Sequence, residues 1–142
     1  MSVEILNEAP DDDEEICIAW LTPLRRTAQT RRSGDPLPFT LVTHITGKED
    51  VDCGCVDNVV QVATLCDKKF GEDAANHEMS VTHQRMLLLA RYLEDVTLHD
   101  GRIATIDYCN VFEVPTWQPY GDDQILMKVA RYTLGLAYVT AE

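Results

Sequence analysis

The stretch FGEDAANHEMSVTHQRMLLLARYL, residues 70–93, decides the fold because it carries the strongest periodic signal in the chain. Apolar side chains, with one threonine among them, recur at alternating four- and three-residue steps: Ala75, Met79, Thr82, Met86, Leu89 and Leu93. This spacing places them on one face of a helix. Acids near its start and arginines near its end complement the helix dipole. We predict a helix of about 23 residues, roughly 35 Å long, that covers a sheet.

A second and weaker helical signal follows an acidic run. The acids at 12–15 can supply a cap and a negatively charged first turn. The apolar face would consist of Ile16, Ala19, Trp20 and Leu24. We predict a helix over 13–27, bent or weakened at Pro23 because proline removes an intrahelical hydrogen bond. Residues 1–12 are predicted to be a flexible acidic arm.

Four arginines lie at the end of this predicted helix and just after it, where the chain runs into turn residues: Arg25, Arg26, Arg31 and Arg32. One interpretation is a solvated helix end followed by a loop. The other is that the arginines contact an acidic surface of a neighbouring subunit, since the chain supplies acids elsewhere. We keep both interpretations and treat the arginines as candidate subunit or tube contacts.

Four stretches have the alternating or continuously apolar pattern of β-strands: 37–45, 58–66, 102–114 and 125–139. The third is predicted to end at Pro115, because proline cannot donate to a strand ladder. Its predicted common face comprises Ala104, Ile106, Tyr108, Phe112 and Val114. The connector at 95–101 has room for a short strand at 96–98.

Two loops are predicted between paired strands, at 47–57 and 115–123. The first is acidic and is predicted to be a long mobile tip. The second carries aromatic side chains, which indicate either a contact site or a packed loop. The candidate contact residues in the two loops are Glu49, Asp50, Asp52, Trp117 and Tyr120.

The order helix, strand, strand, helix, strand, strand predicts a single α+β domain over 13–142. We expect a mixed or antiparallel sheet of about four strands, covered on one face by two helices. The outer face of the long helix includes His77, Gln84 and Arg91 and would be free for a neighbouring subunit. Arg91 is therefore a further candidate contact.

The net charge of −12 argues against a protein that grips nucleic acid through phosphate contacts. Much of the excess is local, since residues 1–15 contain seven acids and no base. Residues 1–15 contribute −7 to the net charge, and the other 127 residues contribute −5. The body of the protein is only mildly acidic.

No apolar run approaches the length of a membrane span, and the N-terminal residues lack the pattern of a secretory signal. We therefore predict a protein of the cytoplasm whose five cysteines stay reduced. Cys17, Cys66 and Cys109 are predicted to be small core residues. Cys53 and Cys55 are predicted to be an incidental reduced pair, because a lone C-x-C is weak support for a metal site, even with Cys66 or His44 as further ligands.

The sequence offers little support for catalysis. His77, Glu78 and His83 resemble a zinc-protease motif, but that motif requires histidines four residues apart and these are six apart. An acidic turn and a solvent-facing strand position explain Asp107, Asp122 and Asp123 better than paired catalytic carboxylates do. We find no phosphate-binding loop and no nucleophile elbow. We therefore predict that the protein is not an enzyme and that it has no catalytic residue, no metal site and no cofactor.

Six segments of the chain, by their order and spacing, resemble tail terminator proteins of long-tailed (siphovirus-type) phages, particularly those of mycobacteriophages and related actinobacteriophages. They are AWLTPLRR (19–26), DPLPFTLVTHITG (35–47), DNVVQVATLC (57–66), THQRMLLLAR (82–91), LHDGRIATIDYCNVFEVPTWQPYGDD (98–123) and VARYTLGLAYV (129–139). The resemblance spans 13–139 and rests on order, spacing and length.

The resemblance implies a virion structural protein, assembled in the host cytoplasm, that forms a hexameric ring at the head-proximal end of the tail. Its partners would be its own copies, the major tail tube protein and the head–tail connector or stopper. Genomic DNA would pass through the lumen without sequence-specific binding. The loops at 47–57 and 115–123 look like the variable projections of that family. The alternatives are a neighbouring head–tail joining protein, or a small intracellular enzyme or ligand-binding domain.

Overall fold

The structure is a computed structural model that describes residues 11–137. Its fold is α+β, as predicted, with two helices and a mainly antiparallel sheet. The elements in chain order are α1 (Asp13–Leu21), β1 (Thr27–Ala28), β2 (Phe39–Asp50), β3 (Cys55–Asp67), α2 (Gly71–Tyr92), β4 (Val96–Thr97), β5 (Ile103–Ala104), β6 (Tyr108–Gln118) and β7 (Ile125–Ala137). Residues 1–10 of the arm predicted over 1–12 and the predicted strand end at 138–139 lie outside the described residues.

Five strands form the main sheet in the order β1-β2-β3-β7-β6, and β4 pairs with β5 in a small separate sheet. β1 runs parallel to β2, whereas the other neighbours are antiparallel. The two predicted hairpins, β2–β3 and β6–β7, are confirmed. The predicted number of about four strands is too low, because strands of two residues are too short to show a period in the sequence.

α2 covers the sheet with the stripe that the sequence predicts. Its buried residues are Ala75, Met79, Thr82, Met86 and Leu89. Full burial of a methionine or leucine side chain contributes roughly 1.5–3 kcal/mol, so this stripe is a main source of stability. Leu93 caps the end of the helix, with a left-handed φ of 49° and an amide that donates to the Leu89 carbonyl at 2.8 Å. Within 11–137, neither helix is long and apolar enough to cross a membrane.

The main core lies between both helices and one face of the sheet. The sheet contributes alternate residues of its two central strands, which point to the same face: Val60, Val62, Ala130, Tyr132, Leu134 and Leu136. α1 contributes Ile16, Cys17, Trp20 and Leu21. Cys17, Cys66 and Cys109 are free and buried, which confirms their prediction as core residues.

The opposite face of the sheet carries a second apolar cluster at the end remote from the β2–β3 turn. Phe39, Leu65 and Ile125 form its buried centre. Residues from the segment before β2 and from the β6–β7 loop pack against it, among them Ala28, Leu37 and Tyr120. Connecting segments therefore cover part of the face that has no helix.

α1 is shorter than the predicted helix over 13–27. Asp12 caps it by accepting a hydrogen bond from the Glu14 amide at 2.8 Å, as the acidic run indicates. The helix ends at Leu21, because Pro23 has no amide hydrogen to continue it. The chain then turns, and β1 pairs with β2 where the prediction had a helix end.

The β2–β3 hairpin is longer than predicted, and its tip is shorter. The predicted mobile loop at 47–57 is wrong, since both strands continue through it and leave only 51–54 as the turn. Gly47 pairs with Asn58, and Asp50 pairs with Cys55. Polar and acidic residues fit these strand positions because this part of β2 is exposed to solvent.

The strand predicted at 102–114 is divided and shifted. Residues 103–104 belong to β5, and the main strand is β6, which continues past Pro115 to Gln118. Proline is tolerated there because β6 is an edge strand with register shifts on either side of Glu113. The predicted common face fails, because Ala104 and Ile106 are buried whereas Phe112 and Val114 are exposed. The loop at 115–123 accordingly shrinks to 119–124.

Candidate interaction surface

Arg25 lies inside the protein, between β2 and α2. Its Nη2 donates to Glu78 Oε2 at 2.8 Å and to the Glu78 carbonyl at 3.2 Å. Its Nη1 donates to Thr40 Oγ1 at 3.1 Å and also to Thr82 Oγ1. Only 5% of its side chain is exposed. Arg25 therefore serves the fold, and we remove it from the candidate contact residues.

The other three predicted arginines surround Asp35. Arg31 Nη2 donates to the Asp35 carbonyl at 2.6 Å, and the Arg32 amide donates to Asp35 Oδ2 at 2.8 Å. Arg26 Nη2 lies 3.9 Å from Asp35 Oδ1, with 60% of its side chain exposed. This loop is built around the carboxylate and the carbonyl of Asp35, and Arg26 and Arg32 are exposed.

An acidic cleft lies between the start of α1 and the outer edge of β2. The carboxylate of Asp13 is 2.8 Å from His44 Nδ1, and Glu14 Oε1 accepts a hydrogen bond from the His44 amide at 2.9 Å. Burial raises the pKa of Asp13, although the contact with His44 opposes that shift. Glu49, one of the predicted contact residues, also lines this cleft. α1 thus covers the outer edge of β2 at His44.

The hairpin tip is organised by Asp50. Its Oδ1 accepts hydrogen bonds from the amides of Asp52 and Cys53 at 3.0 and 3.3 Å, and its carbonyl accepts one from the Gly54 amide at 2.9 Å. A disulfide joins Cys53 and Cys55, so the prediction that all five cysteines are reduced is wrong for this pair. Gly54, with φ +67°, lets the chain fold back so that the two side chains meet.

The edge strand β6 presents apolar side chains to solvent. Val114 and Phe112 are 64% and 57% exposed, and Val111 and Trp117 are also exposed. Within residues 11–137, no strand pairs with the outer edge of β6. A strand edge with exposed apolar side chains is a ready template for another chain.

The remaining predicted contact residues lie in different environments. Trp117 belongs to β6 rather than to a loop, and Lys128 Nζ lies 4.9 Å from the centre of its ring. Tyr120 packs against the second apolar cluster and is partly buried. Arg91 is exposed near the end of α2, where its guanidinium lies 5.6 Å from the ring of Tyr92. The structure brings Trp117 to the open edge and leaves Arg91 on the outer face of α2.

The histidines that resembled a zinc motif have other surroundings. His77 is exposed, whereas His83 Nδ1 is 2.6 Å from the hydroxyl of Tyr132. Burial lowers the pKa of His83 and raises that of Tyr132, which favours the neutral form of both groups. Among residues 11–137, no three histidine, cysteine or acidic side chains are grouped to hold a metal ion.

A small apolar cleft of about 320 Å³ lies between the segment before β2 and the start of α2. Leu37, Pro38, Phe70 and Ala74 form its apolar walls. Its carboxylates already have partners, since Glu78 pairs with Arg25 and Asp67 Oδ2 is 3.7 Å from Lys69 Nζ. The cleft therefore presents an apolar surface, and its two carboxylates are already paired within the protein.

Phe112 and Val114 are the surface residues that the sequence analysis missed. Their alternation with polar neighbours placed them on a common face with buried residues. The useful signal was Pro115, because a proline inside a strand pattern indicates an edge strand. The comparison of the chain with protein-family models and with curated proteins finds no match.

Proposed function

We propose that this protein is a structural subunit of a phage tail, a tail terminator that forms a ring on the tail tube and joins it to the head. The observation that carries the proposal is the open sheet edge at β6. An exposed edge of 11 residues with apolar side chains fits a contact with another copy of the chain.

The two edges of the sheet differ, and this difference favours a ring. On the opposite side, β1 covers β2 only at Thr40 and Leu41, and α1 reaches the edge at His44. In the described chain, no strand covers the outer edge of β2 from Thr46 to Asp50. A contact between two different edges is head-to-tail, and such contacts close into rings when the rotation permits. We propose six copies in that ring.

The charge of the chain supports the proposed position of the ring at the joint between tail and head. The main body carries only a mild negative charge, which suits a lumen through which DNA passes without phosphate contacts. Arg26, Arg32 and Arg91 are exposed and are our proposed contacts with acidic neighbours. Asp52 at the hairpin tip and Trp117 on β6 are the proposed contacts with tail or head proteins.

The test is assembly. We expect purified protein to form rings at high concentration or beside assembled tail tubes, as measured by mass photometry and negative-stain imaging. Val114→Asp should abolish these rings, because it places a charge in the apolar edge. Ile103→Asp is the matched control, since Ile103 is also 64% exposed but lies in β5, outside the main sheet.

Protein that stays monomeric beside tail tubes would refute the proposal. Rings that survive Val114→Asp would refute the β6 interface while leaving the ring. Imaging with a labelled subunit decides between a terminator and a neighbouring joining protein. The terminator decorates the end of the tail tube, whereas a joining protein decorates the head connector.

A further inference from the structure

We propose that Cys53 and Cys55 form a thiol–disulfide exchange site that prefers small cationic thiols. The two cysteines flank Gly54 at the hairpin tip, with Cα atoms 5.5 Å apart. Cys53 is exposed, and Cys55 is partly exposed. An attacking thiol can therefore reach this disulfide from solvent.

The tip does not depend on the disulfide for its shape. The three hydrogen bonds accepted by Asp50 hold the turn through backbone amides. β2 and β3 also pair up to Asp50 and Cys55 at the base of the turn. The disulfide closes a loop of only three residues, and short loops gain least from cross-linking. Both redox forms can therefore keep the hairpin, which a reversible site requires.

The charge around the two sulfur atoms selects the reactant. Residues 48–57 contain four acids, Glu49, Asp50, Asp52 and Asp57, against one base, Lys48. Asp107 lies beside them, in the same cleft as Cys55. A negative surface attracts cationic reactants and repels anionic ones, and the effect weakens as salt is added. A thiol that carries an ammonium group should therefore exchange faster than one that carries a carboxylate or sulfonate.

The exchange balances without any further oxidant. The thiolate of the cationic thiol attacks one sulfur of the Cys53–Cys55 bond, forms a mixed disulfide and releases the other cysteine as a thiolate. A second thiolate attacks the mixed disulfide, which releases the small disulfide and leaves two cysteine thiolates that take up protons. The reverse reaction uses the small disulfide as oxidant and re-forms the protein disulfide.

The experiment compares three thiols on the full chain: cysteamine (cationic), 2-mercaptoethanol (neutral) and 2-mercaptoethanesulfonate (anionic). The protein is first oxidised with 2-hydroxyethyl disulfide, and the exchange is followed by acid quenching and intact mass. Each rate is divided by the rate of the same thiol with 2-hydroxyethyl disulfide, which removes differences in thiol pKa and nucleophilicity. At low salt, we expect cysteamine to exceed the sulfonate by about tenfold, with the ratio falling toward one at high salt.

Charge variants make the test specific. Asp52→Lys should reduce or invert the preference, because Asp52 is exposed and directly precedes Cys53 in the chain. Asp123→Lys makes the same charge change at the opposite end of the sheet, in the β6–β7 loop, and should leave the preference unchanged. Cys55→Ser has no second tip thiol, so oxidation with 2-hydroxyethyl disulfide should leave a mixed disulfide on Cys53 instead of the intramolecular bond, and a single thiolate should then release it.

The buried cysteines provide an internal control. Burial raises the pKa of Cys66 and of Cys109 to about 11 and that of Cys17 well above its ordinary value. In the folded protein, these three thiols should therefore form no mixed disulfide with the small thiols or their disulfides. The proposal is overturned if the tip cysteines form no intramolecular disulfide. It is also overturned if the corrected rates of the three thiols are equal at low salt, or if Asp52→Lys behaves as Asp123→Lys does.

Discussion

Arg25 places a positive charge in the interior, where it has four hydrogen bonds to the side chains or carbonyl of Thr40, Glu78 and Thr82. Glu78 alone supplies a compensating negative charge among these partners. A buried charge that loses its counter-ion keeps its desolvation cost, so this contact matters more than an exposed ion pair. The same network explains why Thr82 interrupts the apolar stripe of α2.

At this residue scale, Glu78→Gln should lower the free energy of unfolding by about 2 kcal/mol, because Arg25 keeps only neutral acceptors. Urea denaturation measures the effect. Glu94→Gln, an exposed substitution beyond the end of α2, should change the value by less than about 0.5 kcal/mol. The double variant with Arg25→Met should lose less than the sum of the single variants. Additive losses would show that the two side chains are not coupled.

The sequence could not predict the role of Arg25. Its nearest neighbours in the chain are basic and turn residues, which indicate a surface. Its partners come from β2 and α2, up to 57 residues away. Only the docking of these elements shows that one member of the arginine cluster is internal. Burial of single charges is decided by tertiary contacts that leave no local pattern.

At the scale of elements, β6 and β7 are held together by an aromatic side chain over a glycine. Tyr108 pairs with Gly135, and a Cβ atom added at Gly135 would overlap the ring of Tyr108. The Tyr108 hydroxyl also donates to Asp57 on β3. This one side chain therefore spans β7 and connects β6 to β3.

Gly135→Ala should accordingly lower the free energy of unfolding by about 1–3 kcal/mol, because the added methyl group displaces the tyrosine ring. Gly121→Ala is the matched control, since no heavy atom lies within 4 Å of a Cβ added there. Tyr108→Ala should lower the free energy of unfolding less in the Gly135→Ala background than in the wild-type chain. The methyl group added by Gly135→Ala has then already displaced the tyrosine ring, so less packing is left to lose. Equal effects of the two glycine substitutions in thermal or urea denaturation would contradict this account.

The sequence predicts the long elements of this protein better than their ends. The period of α2 is visible because its buried stripe is continuous. The ends of β2 and β3 are hidden because Lys48, Glu49 and Asp50 extend a strand into solvent, where polar residues cost nothing. The open edge of β6 was also hidden, because its exposed apolar residues have the pattern of a buried face.

For the whole molecule, His83 couples stability to pH. Burial lowers the pKa of His83 below its ordinary 6.5, so the unfolded chain binds a proton at pH values where the folded protein does not. The free energy of unfolding should therefore fall as the pH falls through 6.5 toward the lowered pKa. Because the side chain is partly exposed, we expect a modest effect.

Urea midpoints at pH 7.5, 6.5 and 5.5 test this dependence. His83→Gln should reduce the loss of stability between pH 7.5 and 5.5. His77→Gln, on the exposed face of the same helix, should leave the loss as it is in the wild type. A His83→Gln variant with the wild-type pH dependence would show that this histidine does not contribute.

Pro115 has a consequence for how the protein behaves at high concentration. Unprotected edges with apolar side chains are where chains stack into fibrils, since each new strand exposes an identical edge to the next. A proline inside β6 removes one amide donor from that edge, and the register shifts beside it bend the strand. Endless strand-on-strand growth is thereby interrupted, while a partner shaped to the bend can still bind. We therefore expect the irregularity of β6 to limit fibril growth at high protein concentration, even though its edge is exposed.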